Sequence, residues 1–230
     1  MIARSALLSW LMLAVAPLSV QAQPAEPSLK RHEIVVSGGP ILAGGYDLGD
    51  SLAQLRSNAT GAQPPPFTLF AVSSTMEPLA GVEATVGYAI IPSLVVEGGG
   101  WFARANIAPS LSRDQEASPR SIDGEKLHQF ILSGGIAWQL PWSPGRRVAP
   151  FVTGGAGYLR QLHEERTLVE NGRIFYLGAG ARYFILGGAG PSRSLGVRGD
   201  VRATWRTPGI DFEDKTRLFA TLTVLVFVGL

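Results

Sequence analysis

The sequence predicts an all-β fold, an eight-stranded antiparallel up-and-down β-barrel that crosses a membrane, preceded by a cleaved signal peptide. Three observations predict it. First, the stretch from Lys215 to Leu230 puts Leu218, Ala220, Leu222, Val224, Val226, Val228 and Leu230 on one face, against Lys215, Arg217, Phe219, Thr221, Thr223, Leu225 and Phe227 on the other. That is the period of a strand. It runs well beyond the roughly five or six residues of an ordinary strand, and its two faces suit lipid on one side and a small polar lumen on the other. Second, beyond the N-terminal region no run approaches the roughly 18 to 20 apolar residues a membrane helix needs. Yet the chain is 46% hydrophobic with 28 glycines, so it can span a membrane only as a closed barrel. Third, eight such stretches follow one another, joined by connections that alternate in length.

The chain opens with Arg4, an apolar run from Ala6 to Ala16, Pro17, and then Val20-Gln21-Ala22. The run is too short to span a bilayer and ends in a small-x-small site, so residues 1–22 read as a secretory signal peptide cleaved after Ala22. Residues 23–30 form a periplasmic leader and 31–230 the barrel domain, with no linker marking a second domain. With no cysteine anywhere, an N-terminal lipid-bearing Cys, disulfides, thiolate metal sites and Cys nucleophiles are excluded. The 20 basic and 18 acidic residues, less Arg4, leave a near-neutral mature chain, which implies no nucleic-acid partner.

The first strand is expected at His32 to Gly39, with Ile34 and Val36 opposite Glu33, Val35 and Ser37. A long connection from about Gly45 to Pro78 holds a possible short helix, Asp50 to Arg56, then Pro64-Pro65-Pro66. Phe67 to Ser73 falls short of the about nine to eleven residues of a tilted spanning strand, and reads as loop or as a strand extension above the membrane. Leu79 to Ile91 is the second strand, with Glu83 and Thr85 facing away from Val82, Val86 and Tyr88. Pro92-Ser93 turns it into the third, Leu94 to Asn106, and polar residues from Ile107 to Glu125 read as a loop. Lys126 to Leu140 is the fourth strand, with His128, Phe130, Leu132, Ile136 and Trp138 opposite Gln129, Ser133 and Gln139. Val148 to Gln161 is the fifth, its facing ambiguous. A charged connection, Leu162 to Asn171, leads to the sixth, Arg173 to Leu186. The seventh, Ser194 to Arg206, turns Leu195, Val197, Val201 and Trp205 outward and Arg198, Asp200, Arg202 and Thr204 inward. With both termini in the periplasm, the long polar connections all fall on the extracellular side. One added spanning strand at Phe67 would break that parity.

This arrangement resembles the small outer-membrane β-barrels of the OmpA and OmpX type over nearly all of the mature chain. The best local matches are Pro150-Phe151-Val152-Thr153-Gly154-Gly155-Ala156-Gly157-Tyr158 and Leu195-Gly196-Val197-Arg198-Gly199-Asp200-Val201-Arg202, which look like the family's strand phrases. Members usually end in Phe, read by the assembly machinery; here the last residue is Leu230 and Phe227 lies three before it. From the alternation and the absence of any membrane helix, a monomeric barrel in the outer membrane is expected. Its expected partners are outer-membrane lipids and lipopolysaccharide, and the assembly machinery during biogenesis.

The glycine clusters at Gly98 to Gly100, Gly154-Gly155 and Gly187-Gly188 are not followed by Lys-Ser or Lys-Thr and open no helix, so they read as close strand packing rather than phosphate cradles. His32 is expected at the periplasmic rim, His128 near the outer end of the fourth strand, and His163 in an extracellular loop beside Glu164 and Glu165. Some barrels of this size are lipid-modifying enzymes with a rim His, Ser and acidic residue, which directs attention to His128 with Ser121 or Asp123. No compact arrangement of nucleophile, base and orienter is visible, so neither a catalytic residue nor a cofactor or metal is expected. The charged strand residues Glu83, Glu97, Arg182, Arg198, Asp200, Arg202 and Arg217 fall opposite the apolar face. On the lipid side a basic side chain would cost about 2–4 kcal/mol at the midplane, so all seven are expected in the lumen as an ion-paired network. The expected function is that of a non-enzymatic surface barrel, with a lipid-modifying enzyme or a narrow pore as alternatives.

Overall fold

The computed structural model describes residues 28–55, 67–112, 120–121, 124–141, 147–163, 169–186, 193–207 and 215–230. The signal peptide and residues 23–27 of the leader lie outside the described residues. The strands are β1 (Ile34–Ala43), β2 (Tyr46–Leu55), β3 (Phe67–Met76), β4 (Leu79–Ile91), β5 (Leu94–Ser112), β6 (Arg120–Ser121), β7 (Glu125–Gln139), β8 (Val148–His163), β9 (Val169–Leu186), β10 (Leu195–Arg206) and β11 (Arg217–Gly229). Eight of them, all antiparallel, close into a ring in the order β1, β4, β5, β7, β8, β9, β10, β11, with β11 returning to β1. Closure leaves the ring no unpaired edge, which is what a sheet in lipid requires.

Alternation decides which residue faces where. Leu132 (68% exposed), Val82 and Leu177 (61%) and Val226 (54%) project outward, where each apolar side chain would be unfavourably solvated in water but not among acyl chains. Inward, the ring is packed in three layers. At the end holding both described termini, Leu29, Val35, Ala89, Val95, Phe151, Phe184 and Phe227 form one apolar cluster, with Phe184 and Phe227 edge to face at 5.3 Å. At the far end Tyr46, Leu48, Trp101, Ile131, Leu159, Ile174 and Phe219 belong to a second cluster, in which Tyr46 stacks on Phe219 at 5.2 Å. Between the two along β8, β9 and β10 lie Thr153, Tyr176, Arg182, Arg198, Asp200 and Arg202.

The long first connection is a β-hairpin, not a loop with a helix. Residues 50–55 of the expected helix are strand β2, paired with β3 from Tyr46↔Met76 to Leu55↔Phe67; Arg56 lies outside the described residues. A bulge at Gly49 (φ 106°), whose N–H donates to Asp47 Oδ1 at 2.9 Å, sets a backbone angle that suits glycine. Phe67 to Ser73 is the strand extension, as one of the two readings held. β3 pairs with β5 from Met76↔Ile107 to Ala71↔Ser112, so β5 runs through Ser112 where a loop was expected from Ile107. β2 and β3 enter as a pair, and the parity of the eight spanning strands is kept.

Three further boundaries move outward, the first being that of β1, which runs on to Ala43 past the expected end at Gly39. β8 extends to His163, placing that histidine in the barrel wall with a buried side chain rather than in a loop, and β9 begins at Val169. The ambiguous facing of β8 resolves with Phe151, Thr153, Leu159 and Gln161 inward and Val152 and Tyr158 outward. Gly154-Gly155-Ala156-Gly157 had hidden it, since residues without large side chains give alternation nothing to act on.

Candidate functional site

The charge network of the middle layer is built from inward positions of four strands, β4, β5, β9 and β10. β10 contributes Arg198, Asp200 and Arg202 at a spacing of two, so all three side chains leave the same face of one strand. Arg198 Nε donates to Asp200 Oδ2 at 2.9 Å and Arg202 Nε to Asp200 Oδ1 at 2.5 Å, so a single carboxylate is clamped between two guanidiniums. The other ends of those arginines reach across the lumen. Arg202 Nη1 donates to Glu83 Oε1 of β4 at 2.7 Å, and Arg198 Nη1 to Glu97 Oε1 of β5 at 2.6 Å. Arg182 of β9 completes the set through Nη2 to Glu97 Oε1 at 3.2 Å. Three guanidiniums thus meet three carboxylates, and the layer is formally neutral. Charge-assisted contacts of this kind are about twice as strong as neutral ones, and they are spread here over four strands of the ring.

Aromatic rings bound the network on both sides. The guanidiniums of Arg182 and Arg198 lie 4.7 and 4.6 Å from the ring centre of Phe151, and that of Arg202 lies 5.4 Å from Tyr176. These are cation–π distances. Gly135 and Gly155 make room for Tyr176, because a Cβ at either position would strike its hydroxyl. This is the close packing the Gly154-Gly155 cluster suggested. The space left beside the network, between Glu83, Thr85, Glu97, Ser133, Tyr176 and Arg202, is ≈ 10 Å³, about what one water needs. Between these residues little more than their own side chains fits, as is expected of an eight-stranded interior.

Six of the seven charged residues expected in the lumen are brought together. The seventh, Arg217, opens β11 opposite Arg206 and is only half-buried, at the far end of the interior and apart from the six. Arg206 was not foreseen, although the alternation that marks Arg202 and Thr204 continues through it. It is 1% exposed, donates through Nη1 to the Tyr46 hydroxyl at 2.6 Å and lies over the Tyr46 ring at 5.4 Å. Nearby polar groups also escaped the sequence reading. Gln161 Nε2 donates to Gln129 Oε1 at 3.0 Å, and His163 Nδ1 meets Glu125 Oε1 at 2.5 Å; each pair joins residues far apart in sequence.

The other histidines stand elsewhere. His128 is on the outer wall, stacked on Phe102 at 5.8 Å and 14°, with Arg104 and Leu162 as its strand partners. Asp123 and the Ser121 side chain lie outside the described residues. His32 meets the Tyr88 hydroxyl through Nδ1 at 2.6 Å. Among the described residues no group of three or more His, Asp or Glu could hold a metal ion.

No family model matches the chain, and no curated protein matches it. Among solved structures it is similar to the crystal structure of the outer membrane protein OprG from Pseudomonas aeruginosa, at 10% identity over 89% of this chain and 96% of that one, with a TM-score of 0.46.

Proposed function

We propose that the chain is a monomeric, non-enzymatic outer-membrane barrel whose interior is closed by its own charge network. Its contacts, with lipopolysaccharide or with extracellular partners, are made at the extracellular surface. The observation that carries this reading is the three-layered interior: among the described residues two apolar clusters lie on either side of a neutral six-residue ion-pair network, in a ring of eight strands whose width suits side chains rather than a channel. A closed interior moves the working surface to the outside, where loops and strand extensions on a rigid scaffold carry recognition. The outward apolar band supports placement in a bilayer, and the strand phrases that resemble those of small outer-membrane barrels favour the same reading.

The test is fractionation of cells making the chain, with electrophoresis of heated and unheated samples, followed by mass spectrometry of lipid A from deletion and overproducing cells. The proposal expects the protein in the outer-membrane fraction, heat-modifiable in migration, with lipid A unchanged. Recovery in the soluble periplasm would sink the membrane reading. An altered acyl pattern that His128→Ala abolishes would replace the surface barrel with a lipid-modifying enzyme.

A further inference from the structure

The outer wall carries a second polar feature, unrelated to the lumen. Arg160 of β8 and Arg173 of β9 both point outward and are exposed. In register Arg160 faces Asn171 and Arg173 faces Tyr158, so the two arginines sit diagonally on adjacent strands, within reach of one bound group. Among the described residues neither has a carboxylate partner. The backbone beneath them is fixed: Thr207 N and Oγ1 donate to the Arg173 carbonyl at 2.9 and 3.1 Å, and Arg173 N donates to Thr207 Oγ1 at 3.2 Å. The Tyr158 hydroxyl donates to Asn171 Oδ1, which leaves the Asn171 amide hydrogens for another acceptor. Tyr158, Asn171, Gly172, Arg173, Phe175 and Thr207 line a groove of ≈ 510 Å³, within the usual range for small-molecule sites; Arg160 is outside this lining and stands at its edge, opposite the lining residue Asn171.

Position along the wall identifies the occupant. Immediately toward the membrane lie Phe175 (48% exposed), Leu177 and Leu132, an apolar surface suited to acyl chains. The arginines stand at its upper edge, where a lipid's headgroup would lie. From this juxtaposition we propose that the groove on β8 and β9 binds a phosphorylated lipid of the outer leaflet, its phosphate between Arg160 and Arg173 and its chains along Phe175 and Leu177. Arginine suits this role because its planar fork donates two hydrogen bonds at once to phosphate oxygens. Charge complementarity selects the phosphorylated lipid over a neutral one, and the adjoining apolar strip selects a lipid over free phosphate.

The site rests on the membrane reading above, and the experiment separates the two. The mature chain is refolded into phosphatidylcholine nanodiscs doped with diphosphorylated lipid A, or with lipid A stripped of phosphate. Bound lipid is then counted by native mass spectrometry after mild detergent release. The wild type should retain phosphorylated lipid A at least tenfold more than the stripped form, and millimolar inorganic phosphate should not displace it. Arg160→Ala/Arg173→Ala should lose that preference while keeping heat-modifiable migration. Arg147→Ala, a change at the opposite rim, should keep it, and Arg160→Lys/Arg173→Lys should restore part of it. Equal retention of both lipid forms, or an unaltered preference in the folded double-alanine variant, would overturn the site and leave the barrel reading standing. Failure of the wild type to enter the bilayer at all would overturn both.

Discussion

At the scale of single residues, Asp200 stands where two arginines of one strand meet a single carboxylate. It lies in the interior, 2% exposed, and accepts from both Arg198 and Arg202. Removing one member of a buried pair leaves the other charge uncompensated, at a cost of about 3–5 kcal/mol, and Asp200→Ala would do this to two arginines together. Its thermal unfolding midpoint should therefore drop well below that of Asp50→Ala, an exposed change in β2, when refolded proteins are followed by circular dichroism or heat-modifiable migration. Equal midpoints would show that the network contributes nothing to stability. The inward set was legible because charge and alternation agree: Glu83, Glu97, Arg182, Arg198, Asp200 and Arg202 each interrupt an apolar period on the face away from lipid. What could not be read was reach. Arg217 shares that face, but the register of β10 and β11 sets it opposite Arg206 at the far end, and register is a property of two strands rather than of one. The pairs Gln129 with Gln161 and Glu125 with His163 were hidden for the same reason.

At the scale of elements, the strands that alternate are the ones whose two faces meet different surroundings, and these were found with their facing. β8 was the exception because its small residues carry no signal. The hairpin of β2 and β3 was missed for a different cause. Its segments read locally as a short helix and an undersized strand, and what holds them extended is pairing with each other and with the upper half of β5. Tertiary pairing of this kind overrides local propensity. Because the ring closes through β1 and β4 directly, the hairpin is an addition to the barrel and not part of its closure. Replacing residues 47–75 by a two-residue turn between the paired Tyr46 and Met76 should still give a heat-modifiable barrel. Its midpoint should be lowered because Leu48 leaves the upper apolar cluster. Loss of every folded form in that variant would mean that the hairpin templates the ring.

At the scale of the whole molecule, one face of each strand meets the outside and one fills the centre, and the fold assigns a separate role to each. The outward band of aliphatic and aromatic residues suits lipid, and the inward positions pack apolar, ionic and apolar layers in turn. Glu97 joins β5 to β9 and β10 by accepting from Arg182 and Arg198, and Glu83 joins β4 to β10 through Arg202. These bridges cross the lumen, so the network braces the ring, and on the proposed reading it closes the ring as well. A barrel of eight strands has room for little beyond its own side chains, and the ≈ 10 Å³ beside Glu83, Glu97, Tyr176 and Arg202 agrees with that limit. The most direct test of the central claim is single-channel recording of the refolded wild-type protein in a planar bilayer. A closed interior predicts a membrane at baseline, with no steady openings at any applied voltage the bilayer tolerates. Steady, large openings, together with Asp200→Ala as stable as Asp50→Ala, would mean that the lumen is a water-filled pore and that diffusion of small solutes is the function.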